Sequence, residues 1–537
     1  MNGKDVNERQ QQDASLNNLS LAGKATGFSH RSTHISQSFR FKRSLILSAI
    51  LGACTALAFS PFDLFFVAFI TFGGLCWLWN RVDTPRQAAL LGGTFGFGMF
   101  GTGISWLYIS LHDFGGMPMP IAMFAVLCLC AYLALFPALT GWFAVKFARS
   151  SPWHFALAIA ASWTFTEWLR GWLFTGFPWL AIGYSQVPWS PLASFAPIGG
   201  VYAISFITVL VSALAALIST WKTVWPRAPL VISSALTLLF LAAWSLKQIE
   251  WTTPANAPIS VSLLQGNIPQ ELKFDPARLE QQLQTYLNLI RDNQARLIVT
   301  PESAIPLLKS DVPTEYWATL KTLTPPNGDI LIGVFDDANE GRQIFNSMIS
   351  IGKTPEQIYH KAHLVPFGEF IPLKWLFGWV YTSLLDMPLS DQTSGARFQR
   401  PLEMAGEKIA VNICYEDVFG EEIIRQLPEA TLLVNVSNDA WFGERIAPWQ
   451  HTQIAQTRAL ETGRFMLRAT NTGVTSIIND RGKVIAALPQ LTTAALRAKA
   501  QGRVGTTPYI TTGNVPIISL CFILLAGFWF KKRSTPQ

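Results

Sequence analysis

Eight apolar runs that could cross a bilayer as helices constrain this chain more than any other feature. A hydrocarbon core asks for about 20 mostly apolar residues per helical span, fewer where flanking side chains snorkel. Seven such runs come early, at 44–60, 63–80, 87–110, 119–146, 153–174, 195–220 and 228–247, and an eighth follows at 514–530. Charged residues make up 14% of the chain, against about 25% in an average soluble domain. The deficit is concentrated in those runs. The expectation is a polytopic α-helical membrane domain with eight spans, seven within residues 44–250 and the last within 513–537, enclosing one extramembrane domain at 251–512. Residues 1–43 are polar, rich in Gln, Asn and Ser, and read as a disordered tail with no secretory signal.

The net charge of +7 does not point to nucleic acid, because the basic residues form no patch among aromatics. They sit at the ends of the apolar runs. Arg40, Lys42 and Arg43 precede the first run, Arg81 and Arg86 follow the second, Lys146 and Arg149 the fourth, and Lys222 and Arg227 the sixth. Lys531, Lys532 and Arg533 follow the eighth, whereas the loop after the third offers only His112 and Asp113. Lys/Arg excess marks cytoplasmic loops. Both termini are therefore expected in the cytoplasm, and residues 251–512 on the far side of the membrane. In the fifth run, Glu167 and Arg170 read either as a polar contact toward the headgroups or the large domain, or as an internal structural pair.

Residues 251–512 alternate short apolar runs with helical patterns, the mark of a layered α/β domain. Strands are expected at 259–267, 296–301, 329–335, 344–351, 408–414 and 431–437, and helices at about 276–293, 313–322, 419–427 and 448–463. Of six cysteines, five lie in apolar runs and Cys414 alone lies in this domain. A lone buried cysteine commonly packs as a small hydrophobe. Cys414, however, ends a strand-like run and opens into Tyr415, Glu416 and Asp417, as a nucleophile presented to a cleft would. A thiol needs a base or a nearby cation. His360, His363 and His451 are candidates. So is Glu302, which ends the run RLIVTPES and is either a strand-end surface group or a positioned base; Lys361 could supply positive charge to an oxyanion. The histidines and carboxylates lack ligand-like spacing, so neither a metal nor another cofactor is expected.

Taken together and in this order, TPES, YHKAHLVPFGEF and NICYEDVFG resemble the Glu–Lys–Cys centre of the nitrilase (carbon-nitrogen hydrolase) superfamily. With seven spans before that domain and one after, and with TEWLRGWLFTGFPWL and VSNDAWFG, the chain resembles the bacterial apolipoprotein N-acyltransferase family from about residue 44 onward. The resemblance implies an αββα sandwich and a bacterial inner-membrane enzyme whose catalytic domain is periplasmic. It implies Glu302 as general base, Cys414 as nucleophile and Lys361 as oxyanion partner, with the Tyr415 backbone N–H a second donor. Glu369 would support the site, and Glu416 matches a further family position. The implied reaction moves an acyl chain from a phospholipid to Cys414, and from the thioester to the N-terminal amine of a diacylglyceryl-modified apolipoprotein.

In LKF, Phe274 stands where some relatives carry tryptophan, and an aromatic role near the acyl chain survives that change. The stretch FIPLKWLFGWVYTSLLDMPL, with Trp375 and Trp379, reads as a lid dipping into the headgroup layer or as a core helix. A membrane-anchored amidase that passes the acyl group to water would use the same triad, but a soluble amide needs no seven-span apparatus. A transporter would carry ionisable residues along the interior of several spans, and here they lie mostly at span ends.

Overall fold

The computed structural model describes residues 40–534 apart from 222–225, 339–340, 354, 373–374 and 376–390. Residues 1–39 of the N-terminal tail and Trp379 therefore lie outside the described residues, and residues 40–43, assigned to the tail from sequence, instead open the first helix. Helices stand where the eight apolar runs were expected: α1 (Arg40–Ala58), α2 (Phe66–Arg81), α3 (Pro85–Gly103), α4 (Met119–Phe147), α5 (Pro152–Arg170), α6 (Ala196–Trp221), α7 (Ala228–Lys247) and a C-terminal helix, Val515–Ser534. Five of these segments are long and apolar enough to cross a membrane: α1, α4, α7, the C-terminal helix, and Pro191–Ile218, which takes in most of α6. The others fall short for visible reasons. α2 has only 16 residues, and α5 carries Glu167 and Arg170 in its last turn. α3, as long as α1 at 19 residues and ending before the expected 110, is diluted by Arg86, Gln87 and six glycines.

Close helix contact explains the glycines of α3. A Cβ on Gly98 would lie 2.2 Å from the Ala49 carbonyl oxygen of α1, and one on Gly92 would lie 2.2 Å from the Pro137 carbonyl oxygen of α4. Small residues of this kind let helix backbones approach where no hydrophobic effect drives association.

The large domain is a four-layer αββα sandwich. One sheet runs, in spatial order, β13 (Val484–Ala487), β12 (Ser476–Ile478), β11 (Phe465–Thr470), β10 (Leu432–Ser437), β9 (Glu407–Ile413) and β8 (Leu402–Met404); the other runs β14 (Ala494–Ala500), β2 (Ile259–Gln265), β3 (Leu297–Val299), β5 (Asp329–Ala338), β6 (Gln343–Gly352) and β7 (Ile358–His360), with β4 (Ile305–Leu308) on β5. The strands that position the site are β3 (Leu297–Val299), β5 (Asp329–Ala338), β6 (Gln343–Gly352), β7 (Ile358–His360), β9 (Glu407–Ile413) and β10 (Leu432–Ser437). Side chains alternate along each strand, which explains the apolar runs. In β9 and β10, Ile409, Val411, Ile413, Leu432, Val434 and Val436 enter the core between the sheets, beside Leu297, Val299 and Leu331 of the facing sheet. Ala410 and Leu433 point outward onto Ala455 and Ala459 of α10 (Ala447–Thr462). On the opposite outer face, α8 (Leu279–Asp292) and α9 (Thr314–Leu323) cover the second sheet through Leu283, Leu287, Ile290, Tyr316 and Leu320.

The two halves share one core. Tyr415, Val418, Phe419, Ala447 and Ile454 of the sandwich belong to the same buried cluster as the α2–α6 bundle. Glu167 and Arg170 explain part of this docking. They pair at 3.8 Å, Arg170 donates to the carbonyls of Phe177 (2.8 Å) and Trp179 (2.6 Å), and Glu167 accepts from the Ile182 N–H at 2.8 Å. The pair thus braces a loop after α5 that reaches the sandwich, combining the two readings taken from sequence.

Gly98→Ala should lower stability in detergent by about 1–3 kcal/mol through overpacking against α1. Gly101→Ala, with nothing within 4 Å of the added methyl, should leave it unchanged or slightly higher; thermal unfolding of the two variants checks both.

Candidate active site

Three strand ends converge. Cys414 follows β9 directly and takes a left-handed backbone, φ 53°, in the turn that begins the 3₁₀ segment Cys414–Val418. A side chain with a Cβ holds that conformation at a cost of roughly 1–2 kcal/mol, so the surrounding contacts must enforce it. They do so from both sides. The Cys414 carbonyl accepts from Asn435 Nδ2 and His451 Nε2, each at 3.2 Å. Glu416 Oε2 accepts from the Ile413 N–H (2.7 Å) and the Tyr359 hydroxyl (3.0 Å), while its Oε1 accepts from the Ala362 and His363 N–H groups at 2.7 and 3.1 Å. Glu416 therefore ties the cysteine turn to the lysine loop. Burial pushes its pKa up to about 7, although these donors and Lys361 favour the charged form.

Glu302 lies beyond β3, beside the β4 edge, and its side chain is buried. Oε1 accepts from Asn346 Nδ2 at 2.7 Å and faces Lys361 Nζ at 3.4 Å, and Oε2 accepts from the Asn438 N–H at 2.9 Å. Burial alone would raise its pKa. Lys361, Lys273, Asn346 and Asn438 outweigh that and hold the carboxyl below its ordinary value, so it is ionised. Lys361, one residue past β7, is fully buried and also pairs with Glu369 Oε1 at 2.6 Å. Burial would lower its pKa, but Glu369 and Glu302 hold it well above the usual lysine range. Glu369 Oε2 in turn accepts from the Val365 N–H at 2.8 Å.

Cys414 is 8% exposed. Burial first, then the Glu302 charge, push its pKa well above the ordinary thiol value against the pull of Lys361. The resting pair is thus a neutral thiol beside an ionised carboxylate, which is the starting state for general-base attack.

Several further residues meet at the site that the sequence did not assign to it. Lys273 Nζ donates to the Glu302 carbonyl at 3.2 Å. Ser437, at the end of β10, lies 3.3 Å from Cys414 Sγ and 2.6 Å from Asp439 Oδ1. One hydroxyl has one proton, and the nearer carboxylate takes it, so a serine lone pair faces the thiol. Under the cysteine turn, His451 bridges Asp417 (2.9 Å) and Asp439 (3.0 Å), and Arg468 reaches the same two carboxylates at 3.2 and 2.9 Å. All four are buried. Burial and Arg468 would lower the His451 pKa, but Asp417 and Asp439 raise it to about 9. Of the three histidines considered from sequence, His451 approaches Cys414 only at its carbonyl; His360 pairs with Asp336 and His363 with Glu422.

The loop braced by Glu167 and Arg170 completes the surroundings. The Tyr415 hydroxyl donates to the Gly176 carbonyl at 3.0 Å, and Trp179 stacks on Tyr415 at 6.5 Å between ring centroids. Phe174, Thr175 and Leu180 all have positive φ, so this loop stores strain beside the nucleophile turn. Phe274 packs at 6.4 Å from Phe335, and Trp375 is 82% exposed; the rest of the apolar stretch at 373–374 and 376–390 lies outside the described residues.

Residues 51–214 match the model of the apolipoprotein N-acyltransferase N-terminal domain, and residues 260–509 that of the carbon-nitrogen hydrolases. The chain is 51% identical to an apolipoprotein N-acyltransferase of Nitrosomonas europaea over 90% of its own length and 96% of the relative's. It is 43% identical to one of Chromobacterium violaceum over 90% and 92% of the two chains, and 41% identical to one of Methylococcus capsulatus over 91% and 96%.

A histidine whose folded pKa is about 9 stabilises fully below its unfolded value of roughly 6.5 and loses that contribution as pH rises through 9. The stability gap between the wild type and His451→Gln should therefore narrow by on the order of 3 kcal/mol between pH of about 6 and about 9.5. Denaturant titrations at the two pH values measure it.

Proposed function

Because the chain belongs to the apolipoprotein N-acyltransferase family, we propose that it carries an acyl chain from a membrane phospholipid, as a thioester on Cys414, to the N-terminal amine of a diacylglyceryl-modified apolipoprotein cysteine. The observation that carries this reading is the neutral Cys414 thiol beside an ionised, buried Glu302. Cys414 adds to the ester carbonyl as its proton passes to Glu302 and the carbonyl electron pair moves onto oxygen. Lys361 and the Tyr415 N–H stabilise that oxyanion, Glu369 orients Lys361, and Glu416 holds the turn. When the intermediate collapses, the C–O bond breaks and the glycerol oxygen takes the proton from Glu302, leaving as lysophospholipid. The acceptor amine then attacks the thioester, Glu302 takes an amine proton and returns it to the departing sulfur, and the thiol is restored.

Eight spans suit this reaction, since donor and acceptor are both held in a bilayer. The domain boundaries in this reading are 44–250, 251–512 and 513–537. The basic loops favour cytoplasmic termini in a bacterial inner membrane, with the catalytic domain periplasmic. Phe274, Trp375 and Trp379 serve as acyl or interface contacts, supported by the exposure of Trp375. Transfer to water is not favoured, because the likeness to named acyltransferases extends through residues 51–214 as well as the hydrolase domain.

Phospholipid labelled in its first acyl chain should leave label on Cys414 of the wild type and none on Cys414→Ser. A chase with diacylated lipopeptide should move the label to its amine. Label on both proteins, or release only as free fatty acid, would contradict the mechanism. Trp375→Ser should slow use of vesicle substrate at least several-fold more than use of a short-chain detergent-soluble ester, with unchanged thermal stability.

A further inference from the structure

Lys273 is the least explained charge near the nucleophile. It follows the 3₁₀ turn Gln270–Leu272, which is fixed by Gln270 Oε1 accepting from Asn438 Nδ2 (2.7 Å) and by the Leu272 carbonyl accepting from Gln282 Nε2 (2.6 Å). The residue is 4% exposed, yet among the described residues the only hydrogen-bond partner of its ammonium is the Glu302 carbonyl at 3.2 Å. An ammonium has three N–H donors, so two remain unused. Buried cations are normally paired, because an unpaired one has lost its water without replacement. Burial pushes the Lys273 pKa down to about 8, while Glu302 and Cys414 draw it back up, so this cation and the nucleophile share one electrostatic neighbourhood.

Charge balance gives those donors a purpose. Glu302 and Glu369 both pair with Lys361, two carboxylates on one ammonium, leaving one net negative charge. A buried site with that surplus opposes the further negative charge of an oxyanion. Lys273 cancels the surplus. Lys361 also has two of its donors directed at carboxylates, at 2.6 and 3.4 Å.

We propose that Lys273 is a further catalytic residue, whose unused N–H groups donate to the oxyanion formed when Cys414 adds to the acyl carbonyl. This rests on Cys414 being the nucleophile. Lys273 keeps its proton throughout; the thiol proton goes to Glu302, and on collapse the electron pair returns from oxygen to carbon as the glycerol oxygen leaves. The competing explanation is structural, that Lys273 only tethers the Glu302 backbone. Alkylation of Cys414 by iodoacetamide separates the two, since it uses the same thiol and base but forms no oxyanion.

The test measures single-turnover acylation of Cys414 from labelled phospholipid in mixed micelles, with full-length wild type, Lys273→Met, Lys273→Gln and Lys273→Arg. Lys273→Met should acylate about 100-fold more slowly, with the KM for phospholipid within about threefold of wild type and iodoacetamide alkylation slowed far less, through the loss of one of the groups that keep Glu302 ionised. Lys273→Gln, which keeps a neutral donor for the Glu302 carbonyl, should lose as much and decides the matter should the methionine variant not fold. Wild-type acylation should decline as pH rises through about 8, and Lys273→Arg should not share that decline. Of the groups facing Lys273, Glu302 is already ionised there and Cys414 gains reactivity with pH; His451, which titrates near 9, is common to both proteins. Acylation by both neutral variants within threefold of wild type, or alkylation falling in step with acylation, would overturn the proposal. Absence of any thioester in the wild type would instead refute the reading of Cys414 on which it rests.

Discussion

Glu302 is buried, and a buried carboxylate stays charged only if donors and cations replace the solvent it has lost. Asn346, the Asn438 N–H and Lys361 do so at 2.7, 2.9 and 3.4 Å, from β6, the end of β10 and the end of β7. The ionised carboxylate therefore exists only in the assembled sandwich, because its partners come from both sheets. Burial first, and then this charge, keep the Cys414 thiol protonated at rest. Glu369 holds Lys361 from the other side at 2.6 Å. Burial and this small set of charges together fix the protonation of the cluster.

The membrane bundle contributes to that centre through packing. Arg170 and Glu167 organise the strained loop that presents the Gly176 carbonyl and the Trp179 ring to Tyr415, next to the nucleophile. From the other direction, Gln450 of α10 accepts from the indole N–H groups of Trp179 (2.7 Å) and Trp106 (3.2 Å), one residue before His451 under the cysteine turn. The helical bundle and the cysteine turn pack as one body at this point.

Much of this was legible in sequence because some signals are local. Apolar run length announces a helix for a membrane, and alternation with both faces buried announces strands such as β9 and β10. Cys414, Glu302 and Lys361 were visible because each stands just beyond such a run. Lys273, in LKF, and Ser437 and Asp439, in VSNDAWFG, fell within motifs noted in the sequence but were not singled out, since their contacts come from neighbours brought in by the sandwich: Lys273 meets Glu302 across 29 positions, and Ser437 meets Cys414 across 23. His451 was noticed only as a possible base, and its bridging of two aspartates is a tertiary fact. The limits of the spans were blurred for a related reason. α3 ends and α5 carries charge where the bundle meets the sandwich, and hydropathy alone cannot see that second surface.

The central claim is that the resting site holds a neutral Cys414 thiol beside an ionised Glu302. Infrared difference spectroscopy of the wild type against Cys414→Ala and Glu302→Gln, at neutral pH in detergent, reads both groups directly. The account predicts an S–H stretch that vanishes in the alanine variant and on acylation, together with a carboxylate band lost in the glutamine variant. A resting thiolate without an S–H band, or a protonated Glu302 carbonyl band, would contradict it.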